Sequence, residues 1–141
     1  MVCDSIMKRR VECVSPATQV EAAARRMRDE DIGFLPVCDD EGKVLGTITD
    51  RDIAVRVVAD DKPSSTQVEE VMSHEVVACR PDSDLEEAKQ LMAAHHKSRI
   101  LCIDTLGHLA GIISLSDLAQ AQAAGPISET LRDVTQREAH F

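Results

Sequence analysis

Apolar runs and helical patterns alternate in the first half of the chain. Short apolar runs at residues 11–14, 34–38 and 44–48 have the length and flanking turn residues that predict strands. A polar turn containing Gly42 separates the last two runs and predicts a hairpin. Between the first two runs, apolar residues recur at helical spacing, and a second helix is predicted to begin near Asp50. This half therefore predicts the order β-α-β-β-α.

The second half repeats this pattern. Apolar runs at 76–79, 100–103 and 109–113 predict three strands, and Gly107 lies in the turn of a second hairpin. The helical positions here are Leu85, Ala88, Leu91 and Met92, and the last helix is predicted to begin near Leu115. The same element order follows.

The two halves also match residue by residue when the sequence is shifted by 65 positions without a gap. Identical pairs include Met7 and Met72, Pro16 and Pro81, Met27 and Met92, Gly42 and Gly107, Gly46 and Gly111, and Asp52 and Asp117. An internal repeat of this length indicates two similar structural units.

The repeat defines the fold class as α/β (α+β) and divides the chain. Residues 1–61 and 66–124 form the two repeats, 62–65 the linker, and 125–141 a polar tail that is predicted to form a short helix. Each repeat begins with a short helical lead-in, at Asp4–Met7 and Val68–Met72. Because one repeat alone would bury only a modest core, we expect the two sheets to pack face to face with pseudo-two-fold symmetry.

Two segments have the spacing of a capping box, in which a hydroxyl and a carboxylate satisfy the first helical amides. Thr18 and Glu21 precede the first helix, and Ser83 and Glu86 precede its counterpart. The spacing predicts that Thr18 and Ser83 are the N-caps.

Composition and charge exclude several classes of function. The net charge of −9 repels phosphate backbones and anionic lipid, so we expect no nucleic-acid or membrane partner. With no apolar leader or membrane-length run, a cytoplasmic location is predicted. The five cysteines form no CxxC pair, which argues against a zinc site and a secreted disulfide framework. No nucleophile–base pair, phosphate loop or metal triad is evident, so catalysis is not expected.

The repeat resembles the CBS domain, and the pair resembles the tandem arrangement called a Bateman module. The resemblance rests on the Ile6-Met7 and Val71-Met72 lead-ins, the segment DIGFLPVCDDEGKVLGTITDRDI at 31–53, and GIISLSDL at 111–118. It covers residues 4–122, although Leu101 replaces the proline that is usual in the family. Stand-alone bacterial pairs of the hypoxic-response type are the most similar kind. The resemblance implies a non-catalytic regulatory protein with no required cofactor.

The resemblance also implies a cleft between the repeats that binds AMP, ADP, ATP or S-adenosylmethionine as a regulatory ligand. Asp52 and Asp117 would accept hydrogen bonds from the ribose, and Thr49 and Ser114 would face the phosphates. Other implied contacts are Val14, Ser15 and Val37 at one adenine, Cys79, Arg80 and Cys102 at the other, and Arg51 and Arg99 as cations. The same two motifs are also ordinary capping sequences, so a purely structural role stays open.

A homodimer and an unidentified regulated protein are the partners implied. Val55, Val57, Val58 and the stretch 119–124 would supply a dimer surface, or would instead belong to the core. Cys13 and Cys38 lie in strands that a β-α-β unit places side by side, which permits a disulfide. The interpretation of both thiols as reduced, buried core residues is favoured over this disulfide. The alternative function is a dimeric interaction or redox-responsive protein with vestigial ligand clefts.

Overall fold

A computed structural model describes residues 1–123 and divides them into two compact units. Unit 1 contains Met1–Val11, Val77–Thr105 and the described residues from Leu109 onward, 109–123. Unit 2 contains Glu12–Val76 and Leu106–His108. The units therefore do not follow the repeat boundaries, because each lead-in packs within the unit that holds the other repeat's hairpin.

Unit 2 is built on one hairpin and one long helix. Helix α1 spans Val20–Glu30, and strands β1 (Phe34–Cys38) and β2 (Val44–Thr49) pair antiparallel. The predicted first strand is reduced to a single parallel bridge between Val14 and Val37. Helix α2 (Asp50–Ile53) continues into a π-helical segment, Ala54–Val58, and a 3-10 turn follows at Val68–Glu70. The core is aliphatic and buries Val14, Val20, Ala23, Met27, Leu35, Val37, Ile48, Val57, Val68, Val71 and Met72.

Unit 1 has the same helix, hairpin, helix order, preceded here by a short strand. A 3-10 turn at Cys3–Ser5 belongs to this unit, as do β3 (Ala78–Cys79), α3 (Leu85–Ala94), β4 (Arg99–Ile103), β5 (Leu109–Ser114) and α4 (Leu115–Ala121). Strand β3 pairs parallel with β4, and β4 pairs antiparallel with β5. The crossover through α3 is what makes the β3–β4 pair parallel. These elements confirm the predicted α/β fold, its two hairpins and its two late helices.

The lead-ins attach at equivalent places in the two units. Lys8 bridges to Ile112 in unit 1, and Ser73 bridges to Thr47 in unit 2. A shift of 65 residues converts one pair into the other. Gly46 is required at the second contact, since an added Cβ would lie 2.4 Å from the carbonyl oxygen of Ser73.

The two predicted capping boxes at the long helices are wrong. The N-cap of α1 is Gln19, without a side-chain cap, and the Thr18 hydroxyl instead accepts a hydrogen bond from the Ser15 amide at 3.1 Å. The N-cap of α3 is Asp84, and the Ser83 hydroxyl accepts from the Arg80 amide at 3.0 Å. In both repeats the hydroxyl closes the Pro-containing turn before the helix rather than the helix itself.

The residues predicted for a dimer surface divide between core and exterior. Val57 is buried in the core of unit 2, whereas Val55 and Val58 are exposed. Ala119 and Ala121 are half-buried. Ala124 and the predicted tail helix lie outside the described residues.

Candidate functional site

The first Thr-x-x-Asp motif forms a capping box at the start of α2. The Asp52 amide donates to Thr49 Oγ1 at 3.1 Å, and the Thr49 amide donates to Asp52 Oδ2 at 2.9 Å. Each side chain thus satisfies a backbone donor of the other residue. The other oxygen of the Asp52 carboxylate is not used by this box.

The second motif has the same geometry at the start of α4. Ser114 Oγ accepts from the Asp117 amide at 3.1 Å, and Asp117 Oδ2 accepts from the Ser114 amide at 2.9 Å. The remaining oxygen of Asp117 lies 3.4 Å from the Lys8 ammonium, and the Asp117 side chain is only 7% exposed. The capping interpretation of both motifs is therefore confirmed.

The remaining oxygen of Asp52 is less constrained. Its partner is Arg56, one turn along the helix, at 3.9 Å, and the Asp52 side chain is 15% exposed. Arg56 also donates to the carbonyl oxygens of Val71 at 3.2 Å and Met72 at 3.4 Å. Arg51 lies between the two motif residues and is exposed.

The three residues predicted to contact adenine in the first repeat lie together. The Val14 amide donates to Pro36 O at 3.0 Å, and the Cys38 amide donates to Val14 O at 2.9 Å, which brackets Val37. Val14 and Val37 are buried in the core, while Ser15 is half-buried and turned toward Thr18. Contact with a ligand in this place would therefore involve Ser15 and the backbone.

A groove of about 570 Å³ lies in unit 1 beside β3. It is lined by Ala78, Cys79, Arg80, Asp82, Ser83, Glu87, Ile103 and Asp104. Two predicted ligand contacts, Cys79 and Arg80, are among these residues, whereas Arg99, Ser114 and Asp117 are not. Arg99 is instead the register partner of Ser114 in the β4–β5 hairpin and is exposed. The groove is thus lined by no residue of the second motif.

All five cysteines are free thiols, including the pair predicted to permit a disulfide. Burial and the neighbouring Cys13 thiol together raise the pKa of Cys38 to about 12, so it is a neutral thiol at physiological pH. A Cys13–Cys38 disulfide under oxidising conditions stays a prediction.

A second group of thiols was not singled out by the sequence. The Cys3 and Cys79 sulfurs lie 3.5 Å apart, and the Cys79 and Cys102 sulfurs lie 3.7 Å apart. Cys79 and Cys102 are register partners on β3 and β4, a pairing that the strand assignment alone would have indicated. The sequence pattern does not place Cys3 in this group, because the N-terminal segment packs on the other repeat. There the Cys3 amide donates to Ser83 O at 2.9 Å.

Among residues 1–123, no helix is both long enough and apolar enough to cross a lipid bilayer.

Comparison with known proteins identifies the family. The family model described as "CBS domain" matches residues 2–59 and 68–124. The CBS domain-containing protein YhcV of Bacillus subtilis is 41% identical over 116 residues, which are 82% of this chain and 81% of that protein. Hypoxic response protein 1 of Mycobacterium tuberculosis is 31% identical over 116 residues, covering 82% of this chain and 80% of that protein.

Solved structures show the same fold. Hypoxic Response Protein I, solved with two coordinated zinc ions, has a TM-score of 0.76 at 30% identity over 85% of this chain and 98% of that chain. More distant CBS pairs match at 22% identity. One, solved with 5′-methylthioadenosine and S-adenosyl-L-methionine, has a TM-score of 0.77 over 88% of this chain and 97% of that chain. CBSX2, solved with AMP, has a TM-score of 0.75 over 85% of this chain and 94% of that chain.

Both repeats are matched by the family model, and the relatives align over most of their own length. The chain therefore belongs to the CBS domain family and contains two CBS domains.

Proposed function

We propose that this protein is a non-catalytic regulatory module that binds an adenosine-containing ligand and transmits its presence to a partner protein. The observation that carries the proposal is the pair of equivalent motifs, Thr49/Asp52 and Ser114/Asp117, each with one carboxylate oxygen not used by its capping box. A carboxylate suits a ribose because it accepts hydrogen bonds from hydroxyl groups. The CBS pairs solved with AMP, and with 5′-methylthioadenosine and S-adenosyl-L-methionine, support this ligand class.

The charge around the groove favours a ligand with little negative charge. Among its lining residues, three are acidic, namely Asp82, Glu87 and Asp104, and one is basic, Arg80. Such a lining repels a triphosphate and attracts a cationic sulfonium group. Its volume is also within the range of small-molecule sites. We therefore expect S-adenosylmethionine or 5′-methylthioadenosine to bind more tightly than ATP.

The two motifs should differ in their contribution. Asp117 is nearly buried and paired with Lys8 at 3.4 Å, whereas Asp52 is more exposed and lies 3.9 Å from Arg56. A ribose reaching Asp117 has to displace a closer cation. We expect Asp52 to be the stronger ribose acceptor.

Thermal unfolding of the purified, reduced protein tests the proposal. The probes are AMP, ATP, S-adenosylmethionine and 5′-methylthioadenosine, with GTP as the control for base specificity. A ligand at one hundred times its dissociation constant stabilises the folded state by about 2.7 kcal/mol. For a domain of this size, that is a rise in Tm of several degrees.

Matched variants locate the site. Asp52→Asn and Asp117→Asn keep a capping oxygen but remove the carboxylate charge, and Asp52→Asn should reduce the ligand-induced shift more. Arg80→Ala should weaken AMP selectively if the groove holds the phosphate. Equal shifts with GTP, or no shift with any adenosine ligand, would overturn the proposal.

The thiol content favours a second candidate, a redox-responsive dimer without a nucleotide ligand. The Cys13 thiol lies close enough to Cys38 to contribute to the raised pKa of Cys38, and the apolar Val55 and Val58 are exposed. Analytical ultracentrifugation with and without reductant tests it. A sedimentation coefficient that changes with reductant in the wild type but not in Cys13→Ser supports this candidate, and an unchanged one rules it out.

A further inference from the structure

Three cysteines from separate segments of the chain converge inside unit 1. Cys3 comes from the 3-10 turn Cys3–Ser5 at the start of the first lead-in, Cys79 from β3 and Cys102 from β4, and all three are buried. Their sulfur atoms all lie within 4.8 Å of one another. Cys3 lies 76 positions before Cys79 in the sequence, so the cluster exists only because the N-terminal segment packs within the unit that holds β3 and β4.

The spacing of the sulfurs agrees with that around one metal ion. Zinc–sulfur bonds of about 2.3 Å place two sulfurs about 3.8 Å apart in a tetrahedral site and about 4.0 Å apart in a trigonal one. The two closest pairs in the cluster are 3.5 and 3.7 Å apart. Only small side-chain movements are needed to bring all three sulfurs onto one ion.

We propose that Cys3, Cys79 and Cys102 form a site for a thiophilic metal ion, Zn²⁺ or Cu⁺, that fastens the N-terminal lead-in to the β3–β4 strands. Thiolates are the side chains that select these two ions. The proposed metal site rests on its own observation, the convergence of three sulfur atoms, although Cys79 and Cys102 are also among the adenine contacts that the family resemblance implies.

The number of donors distinguishes the two ions. Zinc sites usually have four donors, whereas the cluster among the described residues provides three. Cys79 also lines the groove, so water or a small molecule there can complete a zinc site. A Cu⁺ ion with three sulfur donors needs no such addition.

A role as reactive, nucleophilic thiols does not account for the three cysteines. Burial and the Cys79 thiol raise the pKa of Cys3 to about 12. The Cys102 thiol and burial raise the pKa of Cys79. Buried neutral thiols are poor nucleophiles. Without a metal, the three residues are small apolar side chains in the core of unit 1, and this is the alternative that the experiment must exclude.

The test uses reduced, metal-free full-length protein, handled without oxygen, titrated separately with Zn²⁺ and with Cu⁺ against a chromophoric chelator. We expect one tightly bound ion per chain by native mass spectrometry and a rise in Tm of several degrees. Cys3→Ser and Cys102→Ser should each weaken binding at least tenfold. The matched control is Cys13→Ser/Cys38→Ser, which leaves the cluster intact and should retain the tight site.

A second measurement does not depend on whether the variants fold. X-ray absorption of the metal in the wild-type protein should show three sulfur neighbours at about 2.3 Å. A first shell made mainly of nitrogen and oxygen would overturn the proposal. Loss of the stoichiometric binding in the Cys13→Ser/Cys38→Ser control would also overturn it. So would failure of the protein to compete with the chelator for either ion.

Discussion

The ammonium of Lys8 lies 3.4 Å from the carboxylate of Asp117, so the lead-in of the first repeat provides a cation to the second motif. Ser73 occupies the equivalent position for the first motif and has no charge. Asp52 relies instead on Arg56, which is 3.9 Å away on its own helical segment. Two motifs with identical capping geometry therefore differ in their electrostatic surroundings.

Replacing Lys8 should cost less stability than replacing Asp117. Lys8 is 69% exposed, and ion pairs with an exposed partner are worth about 0.2–1 kcal/mol. Asp117→Ala removes the ion pair and also half of a capping box, so we expect about 0.5–2 kcal/mol. Urea unfolding of Lys8→Ala, Asp117→Ala and the double variant measures the contributions of the ion pair and of the capping box to the free energy of unfolding. Because salt screens exposed charges, the Lys8 effect should shrink in high salt while most of the Asp117 effect persists.

Gly46→Ala should be strongly destabilising because the added methyl group meets the backbone. Its Cβ would lie 2.4 Å from the carbonyl oxygen of Ser73, which cannot move without breaking the lead-in bridge to Thr47. Overpacking of this kind typically costs about 1–3 kcal/mol. Urea unfolding provides the measurement.

Gly33→Ala is the matched control for that substitution. Its closest contact, at 2.8 Å, is a side-chain oxygen of Asp50, which can rotate away. If Gly33→Ala proves as destabilising as Gly46→Ala, the close approach of the lead-in is not what requires glycine at Gly46.

Thr49→Ala should lower stability more than Thr18→Ala. The Thr49 hydroxyl caps α2 by accepting from the Asp52 amide, and losing a threonine cap costs about 0.5–2 kcal/mol. Thr18 only closes a turn with Ser15. Ser114→Ala, the equivalent change at α4, should resemble Thr49→Ala in thermal unfolding. Similar losses for Thr18→Ala and Thr49→Ala would contradict this assignment of the caps.

The element order and the family could be predicted from sequence because both depend on short-range residue patterns, and each pattern occurs in both repeats. Gly42 and Gly107 both adopt positive φ in their hairpin turns, at 84° and 87°, as the repeat suggested. The misplaced caps show the limit of spacing alone. Thr18 and Ser83 have the correct spacing, but the turn at Pro16 and Pro81 engages their hydroxyls first.

Contacts between residues far apart in the chain could not be predicted from the sequence, for a different reason. The cysteine cluster and the Lys8–Asp117 pair both depend on the lead-in joining the unit of the other repeat. A repeat fixes the order of elements within each copy, but it does not specify which copy receives the lead-in. The prediction of ligand-contacting residues was limited in the same way. The family resemblance indicates residue types, whereas the lining of the groove depends on packing around β3.

Alkaline pH should weaken the fold through Cys38. Its folded-state pKa is about 12, above the usual value of 9.0, so the native protein holds this proton more tightly than the unfolded chain does. The resulting stability is fully present below about pH 9 and is lost as the pH rises toward 12. The loss approaches about 1.4 kcal/mol per pH unit for one thiol. Because the chain has no tyrosine, phenol ionisation does not obscure this range.

Denaturant unfolding of the wild type and Cys38→Ala between pH 7 and pH 11 isolates this contribution. The variant loses packing at every pH, so it starts less stable, but it lacks the buried thiol that titrates. The difference in unfolding free energy should be constant up to about pH 9 and then narrow steadily. A difference that stays constant to pH 11 would show that Cys38 ionises in the native state as readily as it does in the unfolded chain.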